Sequence, residues 1–150
     1  VVRLISAIRS VRSEMNVPPG ATFPMFHQGA SDATVAQLAT HGDLIRRLAR
    51  ISEIEAASEV GKGAIQVVVD EATYVLPLAD VIDVSGEKAR LEKEMAKLEI
   101  EIAKFDKKLA NQGFLANAPA EVVDEQRERR EKATADRARR AEALERLAAM

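Results

Sequence analysis

A row of positively charged side chains runs through the second half of this sequence. Its members recur at intervals of three, four or seven residues: Arg90, Lys93, Lys97, Lys104 and Lys107. At 3.6 residues per turn, these intervals place the side chains along one side of a helix. Such a line of cations could follow the phosphates of a nucleic-acid backbone. The affinity would not depend on base sequence and would decrease as the salt concentration rises.

Two interpretations of this row remain open from the residues alone. It could be a solvated helix face, stabilised by pairs four residues apart such as Arg90–Glu94 and Lys97–Glu101. The apolar Ile100 lies inside the row, where a solvated face would carry a polar side chain. It could contact a base or a ribose, or be a tolerated apolar side chain on the surface. The row therefore indicates either a charged surface without a ligand or a contact with nucleic acid.

The rest of the chain offers no set of residues suited to catalysis or metal binding. It has no cysteine, and its two histidines, His27 and His41, are assigned to loops away from any carboxylate cluster, so no zinc site is expected. No nucleophile, base and orienting group can be combined. The segment Gly61-Lys62-Gly63 lacks the spacing of a phosphate-binding loop and is interpreted as a hairpin turn. We expect this chain by itself to be no enzyme and to hold no cofactor.

Composition narrows the class of protein. The chain has 150 residues, of which 47% are hydrophobic but 3% aromatic, so its core must be built from aliphatic side chains. The net charge of −2 excludes a globally basic nucleic-acid-binding protein, so only a local basic surface could bind RNA or DNA. No apolar run approaches the roughly 20 residues that cross a bilayer, and a cytoplasmic protein without membrane contact is expected. Because Val1 lies within a helical pattern, we expect a fragment of a longer protein.

The charged row belongs to a predicted helix that Ser85 can cap and that runs to Ala110. Apolar residues alternate at intervals of four and three along one face: Leu91, Met95, Leu98, Ile102, Phe105 and Leu109. Acidic residues flank this seam on both sides: Glu87, Glu92, Glu94, Glu99, Glu101 and Asp106. The heptad repeat predicts pairing with a second helix. Gly113 is expected to end the first helix in the left-handed conformation, with Phe114 folded back on Leu109.

A second helix is predicted from Pro119 to about Ala148. Its best seam is formed by eight positions: Val123, Gln126, Arg130, Ala133, Arg137, Arg140, Leu144 and Leu147. Arginine can lay its methylene groups along a seam and turn its guanidinium towards the carboxylates that flank the first helix. Residues 85–150 are therefore predicted to form a long antiparallel helical hairpin, a two-stranded coiled-coil arm with a marginally stable middle.

Residues 1–84 show shorter elements. An amphipathic helix over 1–16 carries Arg9 and Arg12 opposite its apolar face, where they could meet nucleic acid or another domain. Strands are predicted over 22–26, 51–57, 64–70 and 73–78, and the short turns between the last three favour antiparallel neighbours. The first half of the chain is therefore predicted to be a small mixed sheet with packed helices, giving an α+β body followed by the hairpin.

A further helix is predicted between the first two of these strands. Ser31 or Asp32 can cap it, and a break near His41 leaves Asp43 to cap a second piece. Its expected apolar face comprises Val35, Leu38, Leu44, Ile45 and Leu48.

Three segments of the chain resemble valyl-tRNA synthetases. IRSVRSEMNVPPG, from Ile8 to Gly20, is similar to the end of their anticodon-binding helical domain. LPLADVIDVSGEKARLEKEMAKLEIEI, from Leu76 to Ile102, and NQGFLANAPAEVV, from Asn111 to Val123, are similar to their C-terminal arm. The order of the three segments also matches, and the resemblance is thinnest over 30–63.

The resemblance implies a non-catalytic C-terminal region of a class I enzyme that uses ATP to attach valine to tRNA. It implies that the arm leans on the outer corner of tRNA, that the rest of the synthetase chain is a partner, and that the parent is monomeric. Candidate tRNA contacts are then the charged row, with Ile100, and three arginines near the turn: Arg127, Arg129 and Arg130. The class I signature motifs are absent, so the ATP site and the catalysis belong to the parent. The alternative is a protein-interaction module that uses the arm for self-association or partner binding.

Overall fold

The computed structural model describes residues 1–59 and 63–150, which contain six helices and four strands. In chain order these elements are α1 (Val2–Glu14), β1 (Phe23–Gln28), α2 (Asp32–Thr40), α3 (Gly42–Ala49), β2 (Ile51–Ala56), β3 (Ala64–Val69), β4 (Ala72–Pro77), α4 (Val84–Leu109), α5 (Gln112–Asn117) and α6 (Ala120–Ala148). The predicted α+β class is confirmed. The structure divides into two compact units, one formed by Val1–Glu87 with Arg146–Met150 and the other by Lys88–Glu145.

The first unit is built on a four-stranded sheet with the strand order β2-β1-β4-β3. β3 and β4 form the predicted antiparallel hairpin, with Asp70 in the left-handed conformation (φ 55°) at its turn. β1 is antiparallel to β4 but parallel to β2. Parallel pairing requires a crossover, which α2 and α3 supply between β1 and β2. The antiparallel pairing predicted for the last three strands is therefore confirmed for β3 and β4, but it was wrong for β2 and β3, which are not neighbours in the sheet.

The interpretation of Gly61-Lys62-Gly63 as a hairpin turn fails for the same reason. A hairpin would make β2 and β3 neighbours, whereas they lie at opposite edges of the sheet. Gly61 and Lys62 themselves lie outside the described residues. The assignment of His27 to a loop was also wrong, because β1 continues beyond the predicted end to Gln28.

The core of the first unit is aliphatic, as the composition predicts. α1 buries Leu4, Ile5, Ile8 and Val11, the face that its spacing indicates. The sheet contributes Met25, Ile65 and Leu76, none of them more than 1% exposed. The stability of this unit therefore rests on apolar burial.

Arg12 lies inside this core instead of on a nucleic-acid-binding face. Its Nη2 donates to the carbonyl oxygens of Pro18 at 3.0 Å and Ala21 at 2.8 Å, and the guanidinium lies over the Phe23 ring. Burial lowers the pKa of Arg12, with a smaller contribution from the neighbouring Arg50. The arginine thus fastens the proline-containing segment back onto α1, a role that the helical periodicity does not reveal.

The helical pair α2 and α3 departs from the predicted apolar face. Leu38 and Ile45 are buried, but Val35, Leu44 and Leu48 are 41–48% exposed. The helix is interrupted at His41, so the helical phase of α2 does not continue into α3. Ser31 caps α2 as predicted by accepting from the Thr34 amide, whereas Asp43 lies inside α3 and caps nothing.

Both ends of the predicted first arm helix differ from expectation. Asp83, not Ser85, caps α4, because its Oδ1 accepts from the Gly86 amide at 3.1 Å. Gly113 does not end the helix in the left-handed conformation, since it lies within the short helix α5. Asn111 begins that helix by accepting from the Phe114 amide at 3.2 Å. The predicted loop is thus partly helical.

Candidate nucleic-acid interface

α4 and α6 pack together in antiparallel orientation, and their ion pairs show the register. Moving along α4, Glu94 meets Arg140, Glu99 meets Arg137 and Asp106 meets Arg130. The partners therefore descend along α6 as they ascend along α4. This confirms the predicted helical hairpin.

The predicted seam residues are all buried or half-buried on both helices. Leu91, Val123 and Ala133 are no more than 7% exposed. Ala143 is equally buried, although it lies outside the predicted seam. Its small size, which allows close approach, is a weak sequence signal for this burial.

The three seam arginines pair with carboxylates beside the α4 seam, as the sequence predicts. Arg137 donates from Nε and Nη2 to Glu99 Oε1 at 2.9 and 2.6 Å, and Arg140 Nε donates to Glu94 Oε2 at 2.7 Å. Arg130 donates to Asp106, and this hydrogen bond raises the pKa of Arg130. The middle of the hairpin is thus held by a polar seam of arginines and carboxylates.

Glu94 joins this polar seam to the charged row. Its second oxygen accepts from Arg90 Nη1 at 2.9 Å, so a single carboxylate lies between two guanidinium groups. The hydrogen bond from Arg140, assisted by Arg90, lowers the pKa of the Glu94 carboxyl against the opposing effect of burial. Arg90 therefore contributes to the hairpin itself and differs from the lysines of the row.

We define the lysine face of α4 as Lys93, Lys97, Lys104 and Lys107. All four side chains are exposed, and within residues 1–59 and 63–150 none of them forms an ion pair. The predicted pair Lys97–Glu101 is absent from that set. Ile100 lies within this face and is 59% exposed. Unpaired, solvated ammonium groups remain available to a polyanion, so this face can bind phosphates without breaking an existing contact.

The three arginines near the turn are placed differently. Arg127 Nη1 lies 3.6 Å from Asp124, and Arg129 Nη2 lies 2.5 Å from Glu125, both within α6. Arg130 is held across the seam by Asp106. These carboxylates compete with any phosphate, so the structure separates the candidate residues into an unpaired lysine set and a paired arginine set.

Other kinds of site find little support in the part of the chain that is described. There, no group of three or more His, Asp or Glu side chains is arranged to hold a metal ion. No described helix is long and apolar enough to cross a membrane. The lysine face of α4 is the arrangement with the clearest chemical capability.

Comparison with known proteins identifies the hairpin. Residues 83–148 match the family model described as the valyl-tRNA synthetase tRNA-binding arm. Valine–tRNA ligase of Nitrobacter winogradskyi is 45% identical over 149 residues, covering 99% of this chain and 16% of that protein. The Rhodopseudomonas palustris enzyme is 48% identical over 147 residues, covering 98% and 15%. That of Agrobacterium fabrum is 47% identical over 130 residues, covering 87% and 14%.

The chain thus spans about one sixth of the length of these relatives while matching them along nearly all of its own. The match to the arm covers the whole of α4, α5 and α6, where the lysine face and the polar seam lie. The chain belongs to the valyl-tRNA synthetase family and corresponds to a C-terminal part of such an enzyme.

Proposed function

We propose that the lysine face of α4 binds the sugar-phosphate backbone of tRNA at its outer corner, and that this contact positions the tRNA for valine attachment by the complete synthetase. The observation that carries the proposal is the set of four exposed lysines without ion-pair partners among the described residues, in a segment that matches a tRNA-binding arm. The chemistry of valine activation belongs to the remainder of the enzyme, which uses ATP.

The dimensions of the lysine face suit a backbone. From Lys93 to Lys107 the helix advances about 21 Å at 1.5 Å per residue. That length spans several phosphates of one strand, so four ammonium groups can each approach a different phosphate. Contacts between ammonium groups and phosphates orient a nucleic acid but do not depend on its base sequence. They therefore suit a surface that recognises the shape of tRNA. Ile100, amid the lysines, supplies an apolar contact for a ribose or a base edge.

The alternative, a module that pairs its arm with another helix, has less support. Its natural docking surface would be the seam, but the seam of each long helix is covered by the other. The seam arginines already meet Glu94, Glu99 and Asp106 inside the same hairpin. A partner helix would have to replace these contacts, whereas tRNA on the lysine face would leave them intact.

The test compares charge reversal on the lysine face with an equal change elsewhere. Lys97→Glu with Lys104→Glu should reduce the affinity of the chain for tRNA at least tenfold and leave its helical circular dichroism unchanged. The control, Arg9→Glu with Arg47→Glu, alters two exposed basic residues of the first unit by the same total charge. It should lower the affinity by no more than about twofold.

Nuclease footprinting of tRNA with the same proteins tests the position of the contact. Protection at the outer corner should appear with the unsubstituted chain and disappear with the α4 variant. Equal loss of affinity in both variants would reject the lysine face, and protection confined to another part of tRNA would reject the corner.

A further inference from the structure

The last turn of α6 belongs to the first unit and not to the hairpin. That unit comprises Val1–Glu87 together with Arg146–Met150, so the chain leaves it after Glu87 and enters it again at Arg146. α6 is nevertheless one continuous helix as far as Ala148. The hairpin is therefore attached to the first unit at both of its ends, through the start of α4 and through the end of α6.

Arg146 joins the end of α6 to the end of α1. Its Nη1 donates to Glu14 Oε2, a contact between residues 132 positions apart in the sequence. The two side chains are 35% and 27% exposed, against 40% and 53% for Arg137 and Glu99 in the polar seam. The next residue, Leu147, is 1% exposed. We call Arg146 and Leu147 the α6 anchor, and it is better shielded from water than the seam pair.

The α6 anchor adds a constraint that the start of α4 does not supply. A hairpin joined to the first unit through α4 alone could bend or turn about that single helix. A second attachment through α6 removes this freedom for as long as Arg146 keeps its partner and Leu147 stays buried. Such a constraint matters for a ligand that is held at more than one site, because the effective concentration at the second site depends on geometry.

We propose that Arg146 and Leu147 are positioning residues, which place the lysine face of α4 so that it meets a tRNA already held by the remainder of the synthetase. This inference rests on the proposed function and extends it. The lysines attract the phosphates, and the α6 anchor determines where the lysines are. Loss of the anchor should therefore weaken tRNA binding by the complete enzyme but not the affinity of the lysine face itself.

Steady-state aminoacylation of valine-specific tRNA by the complete synthetase tests the anchor. Arg146→Glu places a carboxylate opposite Glu14 and should raise the KM for tRNA about fivefold, with kcat changed by less than about twofold. Arg146→Met, which removes the ion pair without adding a carboxylate, should raise the KM to a smaller extent. Arg146→Lys keeps the positive charge and should restore the KM of the unsubstituted enzyme.

The matched control makes the same change of charge elsewhere on α6. Arg139→Glu alters an exposed arginine that pairs with Asp136 inside the hairpin, and it should leave the KM for tRNA unchanged. Circular dichroism should show equal helix content in Arg146→Glu, Arg139→Glu and the unsubstituted protein.

Direct binding of the same tRNA to the 150-residue chain separates placement from attraction. There Arg146→Glu should leave the affinity unchanged, because the lysine face is intact, whereas Lys97→Glu with Lys104→Glu should lower it. An unchanged KM for Arg146→Glu in the complete enzyme, alongside a raised KM for the lysine variant, would overturn this inference alone. Equal losses of affinity for the two variants in the 150-residue chain would also overturn it. A lysine variant without effect in either protein would overturn the proposed function.

Discussion

The sheet unit and the hairpin are each stabilised by a different kind of interaction. The sheet unit buries Ile8, Met25, Ile65 and Leu76 almost completely, so its stability derives from apolar surface removed from water. The hairpin has apolar side chains along α4 but faces them with arginines on α6, and its cross-seam ion pairs stay partly solvated. Exposed ion pairs each contribute about 0–1 kcal/mol. We therefore expect the middle of the hairpin to be less stable than the sheet unit.

The largest expected effect lies in the sheet unit. Leu76→Ala should lower its free energy of unfolding by about 2–5 kcal/mol, because the side chain is fully buried in a central strand and leaves a cavity. Urea denaturation followed by fluorescence of Tyr74, the sole tyrosine and a buried residue of β4, reports on this unit. Val68→Ala is the control, since Val68 is 71% exposed on the edge strand β3 and should change stability by less than about 0.5 kcal/mol. Equal effects of the two substitutions would contradict the assigned core.

A smaller effect of opposite sign is expected in the hairpin. Arg137→Leu should raise its stability by about 1 kcal/mol, because an apolar side chain at the seam gains more than the exposed pair with Glu99 loses. Helix melting followed by circular dichroism measures the change. Arg139→Leu serves as the control, since Arg139 pairs with Asp136 within α6 away from the seam and should give no gain. A clear loss of stability with Arg137→Leu would show that the polar seam stabilises the hairpin more than an apolar seam would.

The smallest effect concerns acid sensitivity of the sheet unit. Glu71 accepts hydrogen bonds from Thr34 Oγ1 and from the amide and hydroxyl of Ser31, and these lower its pKa from the ordinary 4.5 to about 2. A carboxyl whose folded pKa is depressed stabilises the fold above its unfolded pKa and loses that contribution as pH falls to the folded value. Unfolding followed by Tyr74 fluorescence should therefore show that the free energy of unfolding falls as the pH is lowered from about 4.5 to about 2. Glu71→Gln should abolish this fall. Glu53→Gln, at an exposed position, should leave that loss in place.

The features predictable from the sequence are those that depend on local spacing. The α4 seam from Leu91 to Leu109 follows a heptad, and acidic residues flank it where the seam arginines of α6 can reach them, so both the hairpin and its ion pairs could be predicted. The parallel pairing of β1 with β2 could not, because it depends on a crossover and not on a turn. The short helix α5 is too brief to show periodicity. Likewise, spacing alone predicts a pair between Lys97 and Glu101, and side-chain geometry decides that none forms.

The most direct test of the lysine face is the salt dependence of tRNA binding. Log affinity falls linearly with log salt concentration, and each phosphate contact that is lost should reduce the magnitude of that slope by about 0.9. Lys97→Gln with Lys104→Gln should therefore reduce the magnitude by roughly 2. Arg9→Gln with Arg47→Gln removes the same charge from the first unit and should leave the slope unchanged. An unaltered slope in the α4 variant would contradict the assignment of tRNA binding to these lysines.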